Sequence, residues 1–260
     1  MHDHPDPVSK PARPAIQRWR LVVEIAPEDG DGDRGARQAA WEAGLRHSGL
    51  PIAGLDADPP RPRTMAAAPL AGSIAGEAEL IDVWLTERLP RWSVRATLEG
   101  VMPPGHRLAD VFDVWLGEAP LPGRVMASVY RVELGAVGPL GPAVLAAIEA
   151  MLAAPALPRE RRKGEKAVTY DMRPFITGLE AVDRAETGSI DLRVTLLHDP
   201  ERGIGRPDDV LAELWDRIGT RHAPTRIVRE RLVLGPERAT PPPAAGRGPR
   251  RQGPRIASAR

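Results

Sequence analysis

The sequence predicts an α+β protein made of two ferredoxin-like (βαββαβ) units in tandem. Three observations lead there. Strand-like and helix-like periodicities follow one another as strand, helix, strand, strand, helix, strand, the order of a split βαβ pair, and the second half of the chain runs through the same order. The 260 residues are 42% hydrophobic, enough to give two units of this size real cores. The two ends are rich in Pro and polar residues and bury too little apolar surface to offset chain entropy, so residues 1–17 and 236–260 are expected to be disordered.

Taken in order, the first unit spans 18–117. Arg18–Ala26 (RWRLVVEIA) reads as a strand, and Gly35–Ser48 as an amphipathic helix with Ala39, Ala40, Ala43 and Leu45 near one face and Gly49 as its stop. Residues 56–63 are a Pro-rich loop. Strands are expected at Thr64–Ser73 and Glu79–Thr86, the second resting on Leu80, Val83 and Leu85. Pro90 opens a helix over Arg91–Met102. Arg107–Gly117 closes the unit as a strand with Val111, Asp113 and Trp115 to one side and Phe112, Val114 and Leu116 to the other. Residues 118–124 form a linker.

The second unit spans 125–235. SVYRVELG is its first strand, and Gly141–Ala154 is a periodic helix with Pro142 in its first turn. The segments AVTYDMRPFI and SIDLRVTLL follow as strands, Asp208–Ile218 as the second helix and Thr225–Gly235 as the last strand. No residue-level repeat links the halves, so the duplication is one of architecture.

Composition excludes several chemistries. With Cys at zero, the chain can form no disulfide, thiolate nucleophile, Cys-ligated zinc site or Cys-held iron–sulfur cluster. No apolar run reaches 18 residues and the N-terminus has no apolar core after its charges, so a cytoplasmic protein without membrane contact is expected. The net charge of +1 hides an asymmetry: the tail from Pro236 holds six Arg against one Glu, which leaves residues 1–235 at −4.

Candidate catalytic and metal motifs fail one by one. His residues stand at 2, 4, 47, 106, 198 and 222 with no ligand-like pair inside the folded region. His2 and His4 lie beside Asp3 and Asp6 in a floppy terminus. Asp29, Asp31 and Asp33 resemble the start of a calcium loop, but Arg34 stands where its Gly is needed and Ala40 where its bidentate Glu is needed. GDGDRG lacks the Lys-Ser/Thr of a phosphate loop and is flanked by acids, and GRGPRRQGP in the tail is no closer. His198-Asp199 and Asp208-Asp209 flank a Gly-rich turn, and a helix cap and first turn account for the second pair. Trp19, Trp41, Trp84, Trp115 and Trp215 read as core. No catalytic, cofactor-binding or metal residue is assigned.

Two basic segments remain. Arg159, Arg161, Arg162, Lys163 and Lys166 lie between the long helix and the TYDMRPF strand, at a loop or hairpin tip where cations would project toward phosphates or an acidic partner. Arg250 and Arg251 add a second basic point in the tail. The only Phe and Tyr residues, Phe112, Phe175, Tyr130 and Tyr170, form no RNA-recognition pattern of stacking aromatics.

The segments AGLRHSGLPIA (43–53), RPRTMAAAPLAGSIAGEAELIDVWL (61–85), ASVYRVEL (127–134) and RERRKGEKAVTYDMRPFITGLEA (159–181) resemble the bacterial radical SAM-linked protein family. This is a domain of unknown function whose members are encoded beside, or fused to, radical S-adenosylmethionine enzymes. The resemblance covers residues 18–234. The family's Ser-His-Leu-Asp run is replaced by GDRGARQAA (32–40), and its Gly-Phe-Asn-Pro-His-Pro-like loop by LDADPPRPRT (55–64), which marks a divergent member. The resemblance implies an accessory protein of unassigned activity whose partner is a radical SAM enzyme; together with the ferredoxin-like units and the lack of Cys or a convergent catalytic set, it leads to the expectation of a non-catalytic module without a cofactor that presents RNA or a ribosome-associated substrate. Lacking Cys, the chain leaves the cluster to that partner. The alternative is a stand-alone small-molecule enzyme with a cleft between the two units, which requires Arg131, Glu133, Asp171 and Arg173 to converge.

Overall fold

The computed structural model describes residues 13–28, 34–163, 166–184 and 189–236. In β1 (Gln17–Ile25), Trp19, Leu21, Val23 and Ile25 alternate onto one buried face. Onto it α1 (Arg34–His47) lays Trp41 and Leu45, four residues apart, while Ala39 and Ala40 are exposed; the two large side chains, not the alanines, define the stripe. Gly44 lets α1 approach the turn after the next helix, since a Cβ there would lie 2.5 Å from the Val101 carbonyl oxygen. Then come β2 (Thr64–Ala66), β3 (Ala75–Leu85), α2 (Arg91–Glu99), which buries Val94 and Leu98, and β4 (His106–Val114).

The second half begins with β5 (Val125–Ala136) and α3 (Gly141–Ala153), whose Val144, Ala147, Ile148 and Met151 keep a strict helical stripe. A hairpin of β6 (Pro158–Lys163) and β7 (Lys166–Asp171) leads to β8 (Ile176–Arg184), β9 (Ser189–Asp199) and the short β10 (Gly203–Ile204). Helix α4 (Pro207–Ile218) buries Val210, Leu211, Leu214 and Trp215, and ends at Gly219, whose left-handed φ of 77° lets its N–H reach the Trp215 carbonyl. The chain's last described strand is β11 (Arg226–Leu234). Each fully buried aliphatic or aromatic residue on these stripes contributes about 1.5–3 kcal/mol.

The result is the α+β architecture the periodicities predict. In the first half the strands lie in the order β4-β1-β3-β2, and in the second β11-β5-β9-β8, with antiparallel neighbours throughout. The halves join into one nine-stranded sheet because β2 is short. It pairs with β3 only at Ile81, Asp82 and Val83, and β11 runs parallel to the free stretch of the same edge, Val228 opposite Ala75 and Arg229 opposite Gly76. Glu79, opposite Val23, meets Arg229, opposite Tyr130, so the helix-covered face runs unbroken across the junction.

The opposite face of the first half buries charge. Arg18 and Arg20 are 1% and 4% exposed and both bind Asp82, which is fully buried; their Nε atoms donate to its two oxygens at 2.8 Å each. Arg20 also pairs with Glu118 at 2.8 Å, and Arg18 donates to the Glu118 carbonyl at 2.6 Å. Trp84 carries the Arg18 and Arg63 guanidiniums at 4.9 and 4.7 Å from its ring centre. So many contacts are required because an unmatched buried ion costs several kcal/mol.

Several expected boundaries move, each for a local reason. The strand predicted over 64–73 stops at Ala66, where Pro69, which has no N–H, lies on the segment that crosses to the junction. The strand predicted over 107–117 stops at Val114, and a bulge opposite Val22 and Val23 breaks its alternation, so Leu108 and Val111 are the buried pair. Trp115, expected in the core, is 72% exposed. AVTYDMRPFI is not one strand: Pro174 and a short 3-10 turn at Arg173–Phe175 divide it, and Asp171 Oδ1 holds the corner through the backbone N–H groups of Leu157 and Arg173. β6 and β8 have no counterpart in the sequence periodicities. The candidate calcium motif Asp29, Asp31 and Asp33, the His2–His4 pair, and Arg250 and Arg251 lie outside the described residues.

Candidate functional site

The predicted basic segment is the β6–β7 hairpin, inserted between α3 and the edge strand β8. Its root is fastened to α4. Arg159 Nη1 donates to Asp216 at 2.7 Å and Glu213 at 3.3 Å. Arg161 Nη2 donates to Asp209 at 2.7 Å and to the Tyr170 hydroxyl at 3.1 Å, and its guanidinium lies 4.5 Å over the Tyr170 ring. Tyr170 in turn donates to Asp209 at 2.6 Å. Burial and that bond push its hydroxyl up to about 12, which keeps it protonated as a donor. Arg162, Lys163 and Lys166 continue the strands toward the tip.

Asp209 therefore does not cap its helix; of the cap and first-turn roles expected for the Asp208-Asp209 pair, only the first-turn placement holds. The N-cap of α4 is Arg206, which makes no side-chain cap bond, and both aspartates stand in the first turn. Asp208, exposed at the helix start, has its pKa raised from the ordinary value by partial desolvation and by Asp209 next to it.

Beside this root opens a cleft of about 450 Å³ lined by Arg161, Arg206, Arg229, Tyr130 and Asp208, with Pro69 and Leu70 on its far side. Three arginines from distant parts of the chain thus line one cavity. Arg229, 2% exposed, holds Glu79 through Nε at 2.8 Å and also donates to the carbonyls of Pro69 and Ala68 at 2.9 and 3.2 Å. Gly205 shapes the wall: a Cβ there would stand 3.0 Å from Phe175 Cβ and 3.1 Å from Leu196 Cβ. Behind the wall, Ser128 Oγ lies 2.8 Å from His198 Nε2, and burial together with the Arg229 charge holds His198 down to about 4, so the imidazole is neutral at ordinary pH. Asp199, the neighbour of His198, accepts from the backbone N–H groups of Glu201 and Arg202 and is a turn residue. Arg161 and Arg229 are each already paired with a carboxylate, Asp209 and Glu79, so an anion in the cleft would have to share their donors, with Arg206 as the exposed arginine of the three.

Of the sequence-predicted residues, Arg161 lies in the cleft and Arg159 turns to α4. Arg206 and Arg229, which sequence reasoning missed, complete the cleft. Arg206 carried a signal in the GIGRP turn before a helix; Arg229 carried none, because Glu79 is 150 residues away. The four residues of the alternative enzyme cleft separate. Arg131 meets Glu77, Glu133 and Glu230 beside the strands, whereas Asp171 braces the corner after the hairpin and Arg173 donates to the Leu152 and Ile176 carbonyls. Among the described residues no group of three or more His, Asp or Glu is placed to hold a metal ion.

A family model described as "Uncharacterized protein conserved in bacteria (DUF2344)" matches residues 38–205, more than half of the chain. The chain belongs to this family. The match takes in α1 from Gln38 onward, the β6–β7 hairpin and the cleft's Arg161, while Arg206 and Arg229 fall beyond it. No curated protein matches the chain. Among solved structures, a chain of the "Crystal Structure of a Cbf5-Nop10-Gar1 Complex" is similar at 9% identity and a TM-score of 0.43, over 82% of this chain and 49% of that one. This protein thus spans about half the length of that chain, and a likeness so distant carries no functional argument. No described helix is long and apolar enough to cross a membrane.

Proposed function

We propose that this DUF2344 protein is a non-catalytic accessory protein of the cytoplasm that works with a radical SAM enzyme and presents RNA or a ribosome-associated substrate to it. In this reading units 18–117 and 125–235 form the scaffold, and the β6–β7 hairpin with the cleft at its root forms the contact surface. The observation that carries the reading is the meeting of Arg161, Arg206 and Arg229 around one 450 Å³ cleft. Guanidiniums suit phosphate because their planar donors can bind two oxygens at once. Arg162, Lys163 and Lys166 in the hairpin sequence, and Arg250 and Arg251 in the tail sequence, are the further basic residues proposed as contacts. The radical SAM partner is supported by the sequence resemblance; without Cys this chain would leave such a partner to hold the cluster itself.

The test is retrieval of tagged full-length protein from its native extract at low and high salt, with and without nuclease, identifying protein and RNA together. A radical SAM enzyme retained after nuclease is expected. Recovery of salt-labile nucleic acid alone, with no such enzyme, contradicts the partnership.

A further inference from the structure

The exposed large apolar side chains of the first half gather around the C-terminal half of β4. Phe112 lies on the strand, and Trp115, 72% exposed, and Leu116 follow it. Ile16 immediately precedes β1. Trp92, 75% exposed, stands in the first turn of α2, and its neighbour Arg91 ties that turn to β4 by donating to the Val111 carbonyl at 2.8 Å. Exposed apolar groups gathered in this way mark interaction sites, because the surface they keep in water gains by being covered.

A groove of about 390 Å³ opens here, lined by Ile16, Trp115, Leu116, Arg88 and Asp113. Gln17 also lines it and fixes its shape: Nε2 donates to the Leu89 carbonyl at 3.2 Å and to Asp113 Oδ2 at 3.0 Å, which joins β1 to the approach to α2 and to β4. The indole of Trp115 rests on Gly117, where a Cβ would stand 2.8 Å from its Cζ2 and Cη2 atoms. Most of the ring is thus left facing water.

The end of β11 delivers the C-terminal tail to this region. The Gly235 N–H donates to the Arg124 carbonyl at 2.7 Å, Arg124 Nη1 binds the Glu118 carboxylate, and the Glu118 N–H donates to the Trp115 carbonyl at 3.0 Å. Gly235 and Trp115 are therefore separated by little more than one arginine side chain and one turn. The residues between Gly235 and Pro241 span at most about 17 Å when extended, which brings the run Pro241, Pro242 and Pro243 within reach of the groove.

Successive prolines favour the polyproline II conformation, with φ already fixed, and aromatic-lined grooves bind such segments at little entropic cost. A short tether adds an effective concentration in the millimolar range, so a contact too weak to hold a separate peptide is occupied within one chain. We propose that Pro241, Pro242 and Pro243 dock in the groove at Trp115 of the same chain, stacking on the indole and covering Ile16 and Leu116. Docking holds Arg247, Arg250 and Arg251 beside the first half. The groove is separate from the hairpin cleft, and its occupancy does not depend on the partner proposed above.

Because the chain has no Cys, one nitroxide spin label can be attached to the full-length protein through Ala245→Cys and its effect read on the indole N–H signals by NMR, with Trp115→Phe identifying the Trp115 signal. Strong broadening of Trp115, with the buried Trp41 and Trp215 much less affected, is expected. It should fall severalfold when Pro241, Pro242 and Pro243 are all replaced by Ser. A mixture of spin-labelled chain with nitrogen-15 chain that carries no spin label should show no broadening; broadening there would give the groove to the tail of a second copy and overturn docking within one chain. No broadening of Trp115, or broadening that the serine replacements leave unchanged, also overturns the proposal.

Discussion

The two halves share a strand order and differ in the connection that leaves their first helix. In the first half, residues 48–63 run as loop and turn from α1 into a β2 of three residues, which leaves half of the β3 edge unpaired. In the second, the corresponding connection grows the β6–β7 hairpin, and β8 covers β9 along nine residues. The short edge strand makes room for β11, and so for the junction of the two halves; the long one closes its edge, and the insertion before it carries cations instead. The same scaffold position thus serves assembly in one half and display in the other. An edge strand is where a sheet can change at least cost, because only one of its sides is paired.

The contrast between the halves breaks most severely at the junction. Arg229→Met leaves the Glu79 carboxylate buried without its partner and should destabilise the protein by about 3–5 kcal/mol in urea unfolding. The double replacement with Glu79→Met should recover much of that, since the unpaired charge is then gone. A single variant as stable as the parent would mean that β11 does not depend on this pair to hold the halves together.

Acid should act next. The His198 imidazole is neutral in the folded chain, with its pKa lowered from 6.5 to about 4 by burial and by Arg229. The unfolded chain therefore takes up this proton first as pH falls, and the associated stability, complete above about 6.5, is lost progressively toward about 4. His198→Gln should flatten that part of a stability–pH curve; an unchanged curve would place the titration elsewhere.

The hairpin root should matter least to stability. Arg159 is 21% exposed and its partner Asp216 48%, so Arg159→Ala should cost no more than about 1 kcal/mol. Asp216 is nonetheless held below the usual carboxylate range by its Arg159 bond, which a carboxylate titration followed by NMR would detect as a rise in the variant. A loss comparable with that of Arg229→Met would make the hairpin part of the core, not an appendage to it.

Helical stripes such as Val144-Ala147-Ile148-Met151 were legible because their periodicity is local, and the α+β class followed from the order of such segments. β6 was not legible: PRERRK has no apolar alternation, and it becomes a strand through pairing with β7 and through its bonds to α4. Trp115 misled because size and apolarity argue for burial while its strand ends one residue earlier. In the cleft, Arg161 was named from charge density alone. Arg206 and Arg229 line it only because the fold brings the hairpin, the start of α4 and β11 together, a fact of topology that no window of sequence contains.

The most direct test of the cleft as a phosphate contact is the salt dependence of single-stranded RNA binding, followed by fluorescence anisotropy for the parent and for Arg161→Ala/Arg206→Ala. Each phosphate contact contributes about 0.7 to the slope of log K against log salt, so the double variant should bind more weakly with a slope lower by about 1.4. Equal affinity and slope in the two proteins, or no RNA binding by the parent, would contradict the assignment.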